Sequence, residues 1–263
     1  MGSNPTLSVR RGVAQFGRAL ALGARCRRFK SCRPDLDYII LQQLIMQIFL
    51  DTADINEIRK RWDTGIITGV TTNPTLVRKV GGNYRDLAIA IIEEFPEIES
   101  LSLELNGQTK EDFMRDMGEF ACIGHPSVTL KVPCTVEGLK FVTHCADNGV
   151  PTNVTLCFSA AQAVMAGLSG ATYISPFVGR MNDNSMSGVE LVRAISGLYR
   201  QHGVATKVLA ASLRDAHHVS RCLLYGADIV TLPPSTFDKM YNSVLTREGL
   251  EIFNNDFKEM PSQ

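Results

Sequence analysis

From residue 46 onward, short runs of apolar residues alternate with longer stretches in which apolar residues recur every three or four positions. The short runs predict β-strands, and the longer stretches predict amphipathic helices. The predicted strands cover 47–51, 66–72, 100–105, 127–133, 151–156, 172–176, 206–211 and 228–232. The predicted helices cover 54–62, 83–94, 109–121, 136–147, 160–168, 188–202, 215–225, 235–241 and 247–259. This order is typical of repeated βα units around a parallel sheet.

Eight strands that are each followed by a helix predict an α/β protein with a closed barrel. We expect residues 46–263 to form one (β/α)8 TIM barrel domain with a C-terminal helix, a size that such barrels commonly reach. An open, doubly wound sheet is the alternative. Nucleotide-binding sheets of that kind carry a Gly-rich loop after the first strand, and no such fingerprint is present.

The fourth predicted strand carries a lysine among apolar residues. Along residues 127–133, three aliphatic side chains alternate with Lys131 and two hydroxyl side chains. A lysine that points into the barrel loses hydration, which favours the neutral amine that can attack a carbonyl carbon and form a Schiff base. The alternative is that Lys131 extends its ammonium group from the strand end into water. The alternation alone leaves both interpretations open.

Polar side chains recur near the carboxyl ends of the predicted strands and point to the same side. They are Asp51, Asn73, Glu104, Asn153, Thr155, Ser175 and Ser212. In a barrel this end forms the active site. Stability alone explains such a set poorly, because an unpaired buried polar group costs about 1–3 kcal/mol. Taken singly, Asp51 and Ser212 could be helix N-caps, and Asn153 and Thr155 could satisfy backbone groups.

Four charged residues near the strand ends indicate which kind of reaction the site could perform. Asp51 and Glu104 would supply the proton transfers that Schiff-base formation and carbon–carbon cleavage require. Arg180 and Arg214 follow the sixth and seventh strands, and a planar guanidinium group suits a phosphate. Barrel phosphate sites are often built in these late loops. A solvated surface charge is the alternative for each arginine.

Composition narrows the classes of protein. The chain is 44% hydrophobic and 21% charged, and no apolar run reaches the roughly 18 residues that a membrane span needs. Its seven cysteines show no paired CxxC spacing, which favours reduced thiols in the cytoplasm. His217 and His218 are adjacent and would point in different directions on a helix. We therefore predict no membrane partner, no bound metal and no cofactor.

The net charge is zero but is unevenly distributed. Residues 1–45 hold eight Lys or Arg against two Asp, a net charge of +6, and the remainder carries −6. This extension could be a targeting peptide, a basic arm for nucleic acid, or translation through a transfer RNA gene. We favour the third interpretation, because DNA strings that encode residues 2–5 and 28–31 resemble the T-arm of such a gene. The natural start would then be Met46, and we predict no nucleic-acid partner.

Six sequence motifs occur in order across residues 46–260. They are DTAD at 51–54, GVTTNPTL at 69–76, LKVPCTVEGL at 130–139, NVTLCFSAAQA at 153–163, SPFVGR at 175–180 and AASLRD at 210–215. These motifs resemble those of the transaldolase family, and the chain is similar in length to its short subgroup, which includes fructose-6-phosphate aldolases and phage-borne transaldolases. The resemblance implies a transferase of the pentose phosphate pathway. It would convert sedoheptulose 7-phosphate and glyceraldehyde 3-phosphate to erythrose 4-phosphate and fructose 6-phosphate.

The resemblance also implies a role for each candidate residue. Lys131 would form the Schiff base, and Asp51 would be the acid and base at carbon–carbon cleavage. The remaining roles are handling of a catalytic water by Glu104 and Thr155, binding of substrate hydroxyls by Asn73 and Asn153, lining of the site by Ser175 and Phe177, and phosphate binding by Arg180, Ser212 and Arg214. The short members are often decamers in which a C-terminal helix packs on a neighbour, so a homo-oligomer is expected.

A fructose-6-phosphate aldolase that releases free dihydroxyacetone is the alternative within the subgroup. Such aldolases typically have Gln at position 104 and Tyr at position 177, where this chain has Glu104 and Phe177. A tyrosine hydroxyl and an activated water would help to protonate a bound enamine, so both differences favour transfer. Leu213 replaces the Phe that is common in the last motif, which could reshape the phosphate pocket without abolishing it.

Overall fold

The computed structural model describes residues 46–260, and strands alternate with helices along this part of the chain. The strands are β1 (Gln47–Asp51), β2 (Ile67–Thr71), β3 (Ser100–Glu104), β4 (Val128–Pro133), β5 (Thr152–Cys157), β6 (Tyr173–Pro176), β7 (Lys207–Ala210) and β8 (Ile229–Leu232). The predictions for residues 1–45 lie outside the described residues.

Eleven helices follow these strands within residues 46–260. They are α1 (Ile55–Trp62), α2 (Pro74–Val80), α3 (Tyr84–Glu94), α4 (Lys110–Ala121), α5 (Val136–Asp147), α6 (Ala160–Leu168), α7 (Val178–Asp183), α8 (Gly188–His202), α9 (Ala216–Leu224), α10 (Pro234–Tyr241) and α11 (Val244–Glu259). The sequence pattern did not predict α2 and α7, and it placed the start of the last helix three residues too late. Helices of six or seven residues are too short to show a 3.6-residue period.

The eight strands form a closed parallel barrel in chain order, with β1 paired to both β2 and β8. The predicted (β/α)8 barrel is therefore confirmed, and the open sheet is excluded. All eight carboxyl ends meet at one end of such a barrel.

Two apolar clusters stabilise the barrel. The larger one lies between strands and helices and includes Leu130 and Val132, the aliphatic face of β4. The smaller one contains Phe49, Leu209 and Ile229, which are all fully buried. A Cβ atom on Gly69 would lie 2.6 Å from the Phe49 ring, so β2 has no room for a side chain there. Bulky groups inside the barrel thus underlie the polar side chains at the strand ends.

Side-chain caps determine where two helices near the site begin. Asp54 accepts a hydrogen bond from Asn56 N at the start of α1, and Asp215 accepts one from His218 N at the start of α9. Asp51 and Ser212 are therefore not the N-caps of these helices, which corrects that alternative. No helix in the described part of the chain is long and apolar enough to cross a membrane.

Candidate active site

Lys131 is buried inside the barrel and is 4% exposed. Its Nζ lies 2.9 Å from Glu104 Oε2 and donates a hydrogen bond of 3.1 Å to the backbone oxygen of Thr72. The register of the sheet brings these residues together, since Lys131 is level with Glu104 on β3 and with Asn153 on β5. The lysine therefore points inward and does not extend into water.

A cavity of about 150 Å³ opens at the carboxyl ends of the strands beside Lys131. It is lined by Asp51, Thr71, Asn73, Lys131, Ser175, Phe177, Arg180, Ala211, Ser212 and Thr231. Seven of these ten residues are among the predicted site residues. Strands that are far apart in sequence thus deliver their polar ends to one small space.

Asp51 lies in this cavity within a short chain of hydroxyl groups. Its Oδ1 accepts a hydrogen bond of 2.8 Å from Thr71 Oγ1, which lies 2.7 Å from Thr231 Oγ1. Burial raises the pKa of Asp51 above its ordinary value of 3.8, and the charge of Lys131 and the Thr71 hydrogen bond partly offset this rise. A carboxylate with a raised pKa is a better proton acceptor than an exposed one.

Glu104 connects the first cavity to a second one. Its side chain contacts Lys131, but Glu104 lines a separate cavity of about 600 Å³ whose walls come from α3, α4 and the end of β3. Lys131 lines the first cavity and Glu104 lines the second. The carboxylate that is closest to the lysine therefore has its own access to solvent.

Buried polar groups on β5 and β6 form a second network beside the lysine. Asn153 Nδ2 donates to Ser102 Oγ at 3.2 Å, and Ser175 Oγ donates to Asn153 Oδ1 at 2.7 Å. Thr155 is fully buried, and its hydroxyl has no hydrogen-bond partner among residues 46–260. Buried hydroxyls without a protein partner commonly bind water, so Thr155 is suited to hold one.

Arg180 and Ser212 lie at the wall of the cavity nearest α7. The Arg180 guanidinium group lies 5.2 Å from the centroid of the Phe177 ring, a cation–π contact. Ser212 adopts a left-handed backbone with φ of +60°. A Cβ atom on Gly179 would lie 2.0 Å from Ser212 O, so only glycine permits this approach of α7. This contact places Arg180 and Ser212 along the same wall.

The structure does not place Arg214 in the cavity. Its side chain is 56% exposed, and Nη1 lies 2.5 Å from Asp183 Oδ1. Asn73 does line the cavity, and its Oδ1 also caps α2 through a 3.0 Å hydrogen bond from Leu76 N. Of the other predicted residues, Glu104 contacts Lys131 and Asn153 contacts Ser175, whereas Thr155 is fully buried on β5 and Arg214 pairs with an exposed acidic partner.

Sequence reasoning missed three threonines of the site. Thr71 and Thr231 share the parity of the other inward residues on β2 and β8, so the alternation could have identified them. Thr72 contributes its backbone oxygen, which no side-chain pattern reveals. Within residues 46–260, no three His, Cys, Asp or Glu side chains cluster as a metal site would require.

Comparison with known proteins assigns the chain to a family. A sequence model described as Transaldolase/Fructose-6-phosphate aldolase matches residues 48–262. A "Probable transaldolase" of Brachyspira hyodysenteriae is 44% identical over 219 residues, which cover 81% of this chain and 98% of that protein. A "Probable transaldolase" of Agathobacter rectalis is 42% identical over 218 residues, 81% and 98% of the two chains. Another, from Caldicellulosiruptor saccharolyticus, is 40% identical over 222 residues, 83% and 100%. The chain therefore belongs to the transaldolase/fructose-6-phosphate aldolase family.

Proposed function

We propose that this protein is a transaldolase that transfers a dihydroxyacetone unit between sugar phosphates through a Schiff base on Lys131. The observation that carries the proposal is the position of Lys131 Nζ, which is buried between Glu104 and Thr72 O at the edge of the polar cavity. A buried amine beside a carboxylate that can accept its proton is placed to attack a ketone.

The first step joins the donor to the lysine. Nζ adds to the C2 ketone of fructose 6-phosphate or sedoheptulose 7-phosphate, and the carbinolamine loses water to give a protonated imine. Glu104 lies 2.9 Å from Nζ and can take the proton that the ammonium group must lose before attack. It can then return a proton to the departing hydroxyl.

Asp51 carries the second step. Its carboxylate takes the proton of the C4 hydroxyl, the C3–C4 bond breaks, and the electron pair moves to the imine to form an enamine. The aldehyde product leaves while the three-carbon unit stays on Lys131. The enamine then attacks the acceptor aldehyde, and Asp51 returns its proton to the new alkoxide. The raised pKa of Asp51 suits a group that must both take and return a proton.

Release of the product requires water and precise positioning of the sugar. We propose that Thr155 and Glu104 hold the water that hydrolyses the final imine, because the Thr155 hydroxyl has no protein partner within the described chain. Asn73 and Ser175 line the cavity, and Asn153 contacts Ser175, which suits the binding of substrate hydroxyls. These assignments follow the expectations from the sequence motifs.

The substrate phosphate would lie against Arg180 and Ser212 at the cavity wall. Both residues line the cavity, and a guanidinium group and a hydroxyl are suitable phosphate donors. The proposed role of Arg214 requires its guanidinium group to leave Asp183 and contact the phosphate. Such an exchange costs little, since an exposed ion pair contributes only about 0–1 kcal/mol.

Two side chains favour transfer over release of free dihydroxyacetone. Phe177 lines the cavity, packs edge-on against Phe158 with ring centroids 5.8 Å apart, and offers no hydroxyl to protonate the enamine. Position 104 carries Glu104, where the aldolases of this family typically have Gln. An enamine in such surroundings would persist until an acceptor aldehyde arrives.

Product analysis tests the reaction type. With fructose 6-phosphate as donor, we expect sedoheptulose 7-phosphate only when erythrose 4-phosphate is present, on the full chain and on residues 46–263 alike. Free dihydroxyacetone formed without acceptor would instead identify an aldolase. Activity lost on removal of residues 1–45 would contradict the proposal that the natural chain starts at Met46.

We also propose that the protein is a homo-oligomer, in keeping with the decamers of similar short members. Helix α11 has no buried residue within the described chain. Leu250, Phe253 and Phe257 are spaced along one face, and the two phenylalanines are 70% and 75% exposed. An apolar stripe of this size normally contacts another protein surface.

Charge on this stripe should therefore weaken assembly. We expect Phe253→Lys together with Phe257→Lys to shift light-scattering mass after size-exclusion chromatography towards the monomer. Asn255→Lys is a matched control on the opposite face of α11 and should keep the wild-type mass. A monomeric wild-type protein at micromolar concentration would contradict the proposal.

The proposed cytoplasmic location is supported by the cysteines. The five cysteines in the described part of the chain, Cys122, Cys134, Cys145, Cys157 and Cys222, are free thiols. Free thiols are usual in proteins of reducing compartments.

A further inference from the structure

The environment of Tyr84 connects it to the reacting lysine. Tyr84 is the first residue of α3, and its ring packs edge-on against Phe120 with centroids 5.3 Å apart. Its hydroxyl oxygen lies 2.7 Å from Glu104 N and 2.6 Å from Thr72 Oγ1. Both neighbours belong to residues that contact Lys131 Nζ.

The direction of these hydrogen bonds follows from simple donor counting. Thr72 Oγ1 lies 2.8 Å from Ser102 O, which can only accept, so the threonine hydroxyl donates there. The Tyr84 hydroxyl must then donate to Thr72 Oγ1 and accept from Glu104 N. This chain of three hydrogen bonds is complete, because the Tyr84 and Thr72 hydroxyls each donate one and accept one.

We infer that Tyr84 is a positioning residue, whose hydroxyl holds Glu104 and Thr72 where both can contact the lysine amine. The inference rests on the proposed function, since it concerns the geometry around Lys131 during Schiff-base chemistry. Tyr84 and Glu104 also line the same 600 Å³ cavity. Burial raises the pKa of the Tyr84 hydroxyl, so it remains a neutral donor at working pH.

Loss of this hydroxyl should slow the chemistry without weakening substrate binding. In Tyr84→Phe, the backbone N–H of Glu104 loses its hydrogen-bond acceptor. The backbone at this position is then less fixed, and so is the Glu104 carboxylate that contacts Lys131. Tyr84 does not line the cavity that contains Lys131 and Arg180, where we place the sugar phosphate, so substrate binding should be little affected. We expect kcat to fall about fivefold to tenfold, with KM for fructose 6-phosphate within about twofold of wild type.

The experiment separates positioning from folding. Borohydride trapping in the presence of fructose 6-phosphate counts the competent Lys131 sites, and kcat is expressed per trapped lysine. The matched control is Tyr199→Phe, which also removes a buried hydroxyl hydrogen bond, of 2.6 Å to Ala163 O. This control should lower thermal stability and leave kcat per trapped lysine unchanged.

A second variant tests the same contact from its other end. Thr72→Val removes the acceptor of the Tyr84 hydroxyl and keeps the backbone oxygen that contacts Lys131. If both side chains act through one contact, the double variant should lose little more than the worse single variant. Unchanged kcat per trapped lysine in Tyr84→Phe, or fully additive losses, would overturn the inference. A wild-type protein that traps no adduct would instead overturn the proposed function.

Discussion

Replacement of Lys131 by methionine should lower kcat by at least about a thousandfold and abolish borohydride trapping of the donor sugar. Methionine keeps much of the volume of the side chain but has no amine. Lys207→Met is a suitable control, because Lys207 is exposed and starts β7 at the opposite end of the barrel. Mass spectrometry of the trapped protein should locate the wild-type adduct on the peptide that contains Lys131.

A second variant is needed beside Lys131→Met, because this substitution also breaks the ion pair between Lys131 and Glu104. Glu104 would be left without its cation while only partly exposed, so the variant should lose thermal stability. Lys131→Met combined with Glu104→Gln removes both charges and should restore much of the thermal stability. This double variant should still be inactive. Turnover near the wild-type rate in a folded Lys131→Met variant would exclude the Schiff-base mechanism.

Replacement of Asp51 by asparagine should have the second largest effect, a fall in kcat of about 10²- to 10⁴-fold. Asparagine can still accept the hydrogen bond from Thr71, but it cannot take a proton from the C4 hydroxyl. Because Lys131 is intact, the variant should still form a borohydride-trapped adduct with fructose 6-phosphate. If the variant lost both borohydride trapping and turnover, Asp51 would be needed before carbon–carbon cleavage.

The raised pKa of Asp51 also predicts two effects of pH and charge. Activity requires the carboxylate, so it should fall as pH drops through a pKa above 3.8, and Asp51→Asn should lose this acid limb. Because the folded state binds this proton more tightly than the unfolded state, the contribution of Asp51 to stability decreases as pH rises from 3.8 through its raised pKa. At pH 7 the ionised group is therefore unfavourable, and Asp51→Asn should raise Tm. A lower Tm would contradict this account of the burial of Asp51.

Several site residues were predictable from local sequence alone. Alternation along β4 placed Lys131 on the face opposite Leu130 and Val132, and the structure buries it inside the barrel. The same reasoning placed Asp51 and Ser175 in the cavity. It succeeds because successive side chains of a strand point to opposite faces, whatever the strand pairs with.

Other features depend on parts of the chain that are distant in sequence. Lys131 Nζ reaches the backbone oxygen of Thr72, a residue 59 positions earlier, and no motif indicates this contact. Tyr84 belongs to a helix, so strand alternation cannot place it, and only the packing of α3 brings its hydroxyl to Glu104. The pairing of Arg214 with Asp183 likewise arises from the position of α7.

The sequence by itself determined the eight βα units, the position of Lys131 on the polar face of its strand and the family, because strand alternation, helical period and motifs are local properties of the chain. Only the tertiary structure decided which groups contact the lysine, how the space around it divides into two cavities, and that burial raises the pKa of Asp51. These depend on the register of paired strands and on desolvation. Both are produced by barrel closure, which brings together residues that the sequence separates.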